Sequence, residues 1–202
     1  MGSTAALARA GGFGQVALAT GHLTDEPGRT PPRFPEHAVP DVEVRVEAAL
    51  RSWQFGRGDL LINGGARGGD LIVATLALRA GATVWTLLAH SADVFARTSV
   101  EVAGASWVER YWHLLQRQPS WELGDEAQER DADPYAATNA WMVRVARTQS
   151  PRVPLRLLAV WDGATAAGAG GAGDMVATAT SAGAEVTVIE PLRPSKDVIA
   201  SG

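Results

Sequence analysis

The chain has no cysteine. That excludes disulfides, thiolate metal sites and thiol catalysis together, and it suits a cytoplasmic protein. No apolar run approaches the ~20 residues that cross a bilayer as a helix, so no membrane association is expected. Histidines are few and scattered: His22, His37, His90 and His113 share no metal-ligand spacing. Neither a metal nor another cofactor is expected. Positive charge is also short, with 18 Lys and Arg against 22 Asp and Glu and a net charge of -4. Without a basic excess, a surface that reads a duplex phosphate backbone is disfavoured, and nucleic-acid binding is not expected. Two catalytic signatures are missing as well. No Gly-Lys-Ser/Thr follows a glycine loop, as a P-loop nucleotidase requires, and no Gly-x-Ser-x-Gly elbow marks a hydrolase nucleophile.

What is present is enough for one generous domain. The 202 residues are 46% hydrophobic and 20% charged, which permits a core without staples. The expected organisation is a small-residue N-terminal arm over 1–14, one domain over 15–191 and a flexible tail over 192–202. Apolar runs over 15–20, 59–63, 83–88, 121–123, 155–161 and 185–189 read as strands. Helical spacing over 41–53 takes Asp41 as its N-cap, and 70–80 is followed by Gly81 at C′. Ser106 and Glu109 have the spacing of a capping box. Asp133-Pro134 opens a helix with proline at N1, and a short helix over 174–182 is closed by Gly183. Proline density over 23–40 excludes helix and central strand there. Strand, glycine loop, helix and strand recur within about thirty residues, the size of a βαβ unit. The fold class expected is therefore α/β: a Rossmann-like, mostly parallel sheet with helices on both faces, three layers in all. Trp53, Trp85, Trp107, Trp112, Trp121, Trp141 and Trp161 read as core wedges, with a base-stacking surface as the alternative.

Two loops carry the chemistry. A helix that directly follows a strand points free N–H groups and the positive end of its dipole at the turn. Glycines there let a phosphate approach the backbone. The first loop holds Gly64, Gly65, Gly68 and Gly69, with Arg67 as a fork of donors for phosphate oxygens. The second holds Gly168, Gly170, Gly171 and Gly173, spaced as a dinucleotide fingerprint with Glu190 ending the next strand. Asp70 and Asp174 either cap helices or touch ribose hydroxyls, since a carboxylate repels phosphate. Gly21 and His22 end the first strand, where His22 is either a satisfied loop residue or a ligand, acid or base. Arg97 and Ser99 either contact phosphate or cap the next segment. Asn139 has an amide for a base edge, and Asp162 opens the loop after the 155–161 strand.

At these residues the chain resembles the SLOG superfamily, which includes LOG-type phosphoribohydrolases, the DNA-processing protein A fold and nucleotide-sensing domains. The resemblance spans roughly 15–191. It rests on Ala19-Thr-Gly-His22, Asn63-Gly-Gly-Ala-Arg-Gly-Gly-Asp70, Tyr135-Ala-Ala-Thr-Asn139, and Leu158-Ala-Val-Trp-Asp162 followed by Gly170-Gly-Ala-Gly-Asp174. It implies a ligand cleft across the switch point of the sheet, and a homodimer. The LOG hydrolases carry Pro-Gly-Gly-x-Gly-Thr-x-Glu-Glu in the second loop. Here Gly170, Gly171 and Gly173 match, Asp174 replaces the Thr, and Val176 and Ala177 stand where the two Glu would be. Their Arg-Lys pair is also unmatched, with Asn139-Ala140 on the comparable helix. An oxocarbenium-like transition state wants a nearby carboxylate. The expected function is thus a binding module that senses a nucleotide-derived small molecule, with an N-glycosidase or transferase as the alternative. A third reading is an interaction protein that has lost its ligand.

Overall fold

A computed structural model describes residues 12–124, 133–149, 154–164 and 169–192. Gly168, most of the expected arm and nearly all of the expected tail lie outside the described residues. The strands are β1 (Val16–Gly21), β2 (Leu60–Asn63), β3 (Thr83–Leu88), β4 (Ser120–Glu122), β5 (Arg156–Val160) and β6 (Glu185–Ile189). The helices are α1 (Val39–Ser52), α2 (Gly69–Arg79), α3 (Ala92–Ser99), α4 (Ala105–Arg117), α5 (Pro134–Gln149) and α6 (Ala172–Ser181).

All six strands join one sheet in the order β4-β3-β2-β1-β5-β6, and every pairing is parallel. The chain winds from β1 outward to β4, then returns to lay β5 on the other side of β1. The switch point therefore lies between β1 and β5. Period-2 alternation sends Ala17, Ala19, Leu61 and Val84 to one face, where α1, α2, α3 and α4 pack. Val16, Leu18, Leu60 and Ile62 go to the other face, beneath α5 and α6. The expected three-layer Rossmann-like architecture is the one observed. The central strands are buried on both sides, which is why they read as unbroken apolar runs. All seven tryptophans pack in or against these two cores, as wedges.

Several local expectations need correction. Residues 92–99 form a helix, α3, that the sequence pattern did not reveal, so Arg97 and Ser99 sit on a helix and not in a strand-end loop. The capping box is not formed: α4 starts at Ala105 behind Gly104, whose φ of +113° admits the chain one residue early and leaves Ser106 inside the first turn. Asp41 is likewise inside α1 and pairs with Arg45 at 2.7 Å. α1 begins at Val39, with Pro40 in the first turn, where a missing N–H costs no hydrogen bond. The proline-rich stretch before it contains no strand, yet it is anchored. Phe34 is fully buried, and Asp25 Oδ2 accepts the amides of Arg33 and Phe34 at 2.8 and 3.0 Å.

The contact that positions the site is between two glycines. A Cβ on Gly69 would lie 2.5 Å from the Cα of Gly21 and 3.0 Å from the Val160 side chain, and one on Gly21 would lie 2.6 Å from the Cα of Gly69. Hydrogen at both positions lets the start of α2 rest directly on the end of β1. Gly68, with φ of +86°, makes the turn that delivers it. Gly69→Ala is expected to lower stability by about 1–3 kcal/mol through overpacking against backbone. Gly124→Ala, where a Cβ meets nothing within 4 Å, should stay within about 0.5 kcal/mol. Urea unfolding of the two variants checks the difference.

Candidate functional site

The carboxyl ends of β1, β2, β3 and β5 open into one cavity of about 400 Å³. Both glycine segments reach it: Gly64 from the first, and Gly170, Gly171 and Gly173 from the second. This is the place at which open parallel sheets bind ligands.

The floor is the end of β1. His22 is buried, and its Nε2 lies 2.9 Å from Asp162 Oδ1, just beyond β5. The Asp162 amide is also near this nitrogen, at 3.3 Å. That amide donates to Nε2, while the carboxylate contact favours a proton on the same nitrogen. Burial holds the imidazole below its ordinary range despite that hydrogen bond, and the charge of Arg33 pushes the same way. Burial also opposes ionisation of Asp162, but the His22 hydrogen bond and the Ala164 amide outweigh it, so this carboxyl lies below its usual range. The pair is a neutral imidazole oriented by a carboxylate. His22 lines the cavity, while Asp162 acts through it.

The first loop is organised differently from the expectation. Asn63 is fully buried, accepts the Gly65 amide at 2.9 Å and donates to the Trp85 carbonyl at 3.1 Å. Asp70, from the first turn of α2, folds back over the loop. Its Oδ2 accepts the backbone amide of Ala66 at 3.3 Å, and the Gly64 and Gly21 amides also favour its charged form. Burial nevertheless pushes it up to about 7. The first loop thus faces the chain's own carboxylate, which holds the Ala66 amide. Gly65, Gly68 and Gly69 do not line the cavity; they serve the turn and the helix–strand contact. Arg67 is also outside it. The Arg67 amide is held on the Ser99 carbonyl at 3.2 Å, and its side chain is buried beneath the proline-rich segment, 3.8 Å from Glu26. Burial lowers its pKa.

The second loop is open. α6 starts at Ala172 with Gly171 as N-cap and no side-chain cap, and Gly170 has φ of +85°. The amides of its first turn have no partner within the helix. Asn139 reaches this loop from α5, but its Nδ2 is engaged, donating to Asp174 Oδ2 at 2.8 Å and to the Gly171 carbonyl at 3.5 Å. Asp174 itself stands behind the wall and does not line the cavity. Ser99 does, with its Oγ 3.2 Å from the Tyr135 hydroxyl, whereas Arg97 is exposed and does not.

Sequence reasoning missed three contributors. Arg33, from the proline-rich stretch, is the cation that lines the cavity, and its Nε is buried without a partner among the described residues. Phe95 and Tyr135 add ring faces, their centroids 6.2 Å apart. Tyr135, Thr138, Asn139 and Met142 all line the cavity. Their i, i+3, i+4, i+7 spacing was readable as one face of a helix. Nothing local points to Arg33.

No family model matches the chain, and no curated protein matches it. Among solved structures it is similar to DNA processing protein A (DprA) from Streptococcus pneumoniae, with a TM-score of 0.52 and 14% identity. The fold is DprA-like. The match covers 95% of this chain and 53% of that one, so the chain spans about half the length of its structural neighbour. At 14% identity the likeness concerns the fold alone. No helix among the described residues is long and apolar enough to cross a membrane.

Asp70 gives the site a signature in stability. Its folded value near 7 exceeds the ordinary 3.8. Between these values the folded state holds a proton that the unfolded chain releases, so stability is lost as pH rises through that window. Asp70→Asn cannot ionise and lacks this slope. Wild type is expected to lose about 2–3 kcal/mol relative to the variant between pH 5 and pH 8. Parallel urea midpoints for the two proteins over that range would show the carboxyl to be ordinary.

Proposed function

We propose that the protein binds a nucleotide or nucleotide-derived phosphate in the cavity at the β1/β5 switch point, as a sensor module. The observation that carries this reading is the convergence, on one cavity of about 400 Å³, of the uncapped α6 N-terminus and the Arg33 guanidinium. The volume falls in the range of small-molecule sites. A phosphate at the second loop meets a helix dipole and first-turn amides that no side chain caps among the described residues, with Arg33 as its charged partner. Phe95, Tyr135 and Trp161 offer ring faces for the rest of the ligand. Binding without turnover is favoured because Val176 and Ala177 occupy the positions of the LOG carboxylates.

One observation supports the alternative, a nucleoside-phosphate N-glycosidase. His22 is a neutral base oriented by Asp162, and Asp70 is an acid lining the same cavity. Titration calorimetry against AMP, cyclic AMP and ADP-ribose, with chromatography for released base, separates the two. We expect binding of at least one of these with no free base. Arg33→Ala should weaken that binding about tenfold or more, the scale of a lost charge-assisted hydrogen bond. Failure of the wild-type protein to bind any of them removes the reading. Sedimentation of the same samples tests the homodimer that the resemblance implies.

A further inference from the structure

Asp70 is more than nine-tenths buried and lies on the cavity wall. A carboxylate has about four lone-pair positions. The Ala66 amide takes one of them, at 3.3 Å, and the Gly64 and Gly21 amides favour the charged form from the same side. Backbone also closes the Gly64 side, where a Cβ would lie 2.9 Å from Oδ2. The open space beside the carboxyl is the cavity itself. There the carboxylate can still accept a donor from a ligand. A second anion is repelled at short range in a poorly screened space, and an apolar group would leave the lone pair that faces it dry, which is costly.

We infer that Asp70 selects for a ribose hydroxyl, so that the cavity distinguishes ribonucleotides from their deoxy counterparts. This rests on the nucleotide reading above and gives the ligand a direction. Its phosphate lies toward Arg33 and the second glycine loop, and its vicinal diol toward the first. The first loop thereby contributes selectivity through a carboxylate instead of phosphate binding through amides. Asp174 has no such part, since Asn139 donates to it and it lies outside the cavity lining.

The test is calorimetry of the wild-type protein with AMP, 2′-deoxy-AMP and 3′-deoxy-AMP. Loss of one of the two hydroxyls is expected to weaken binding about tenfold or more, the scale of a hydrogen bond to a charged group. In Asp70→Asn the discrimination should shrink to about threefold or less, because an amide no longer presents the same acceptor. Gly64→Ala provides a second route, since its methyl would press on Oδ2 at 2.9 Å and displace the carboxyl. It should also blunt discrimination. Equal binding of all three nucleotides by wild type overturns this inference and leaves the nucleotide reading standing. Undiminished discrimination in a folded Asp70→Asn variant overturns the assignment to Asp70. Binding of none of the three, nor of cyclic AMP or ADP-ribose, removes both.

Discussion

Two backbones touch where β1 ends and α2 begins, and the rest of the site is built outward from that contact. Gly21 and Gly69 pack backbone on backbone, so closely that a Cβ on either would lie 2.5 to 2.6 Å from the Cα of the other. The Gly69 amide donates to the His22 carbonyl at 3.1 Å. A helix start and a strand end are thus joined at the switch point. His22 then reaches across to Asp162 and ties β1 to the segment after β5. These links hold the cavity floor from both sides of the topological reversal.

The two glycine loops look alike as sequence and behave as opposites. In the first, the protein has already supplied an anion to the loop, in the form of Asp70. In the second, the N-cap is a glycine and Asp174 is turned away by its bond with Asn139. The electrostatic result is a polarised cavity. One end has a carboxyl of raised pKa, the other a helix N-terminus near an arginine. A ligand with an anionic head and hydroxylated body fits that polarity in one direction only. Arg67, the cation closest in sequence to the first loop, does not line the cavity. It is folded beneath the proline-rich segment toward Glu26.

The proline-rich segment has a larger role than its composition indicates. Proline excludes regular structure there, but Asp25 gathers the amides of Arg33 and Phe34, and Phe34 plugs the core. This pins a stretch of coil firmly enough to place a guanidinium at the cavity mouth. Long ordered loops at strand ends commonly carry function, and here the anchoring is the physical reason one can.

Taken by itself, the sequence determined the layers: apolar runs of strand length, each followed by a helical period, leave a parallel sheet covered on both faces as the only economical burial. It also determined that two glycine turns follow strands β2 and β5, because no other residue passes those backbones so closely or at positive φ. Tertiary structure decided which groups face the ligand. Whether Asp70 turns inward over its own loop, whether Arg67 leaves the cavity, and whether Arg33 enters it depend on bonds between segments far apart in the chain. Helix α3 escaped notice for a related reason. Its eight residues are short for a clear period, and burial of Phe95, Ala96 and Ser99 against neighbouring elements selects the helix. Local pattern encodes what each segment can be; only packing settles which of its side chains is left facing open space.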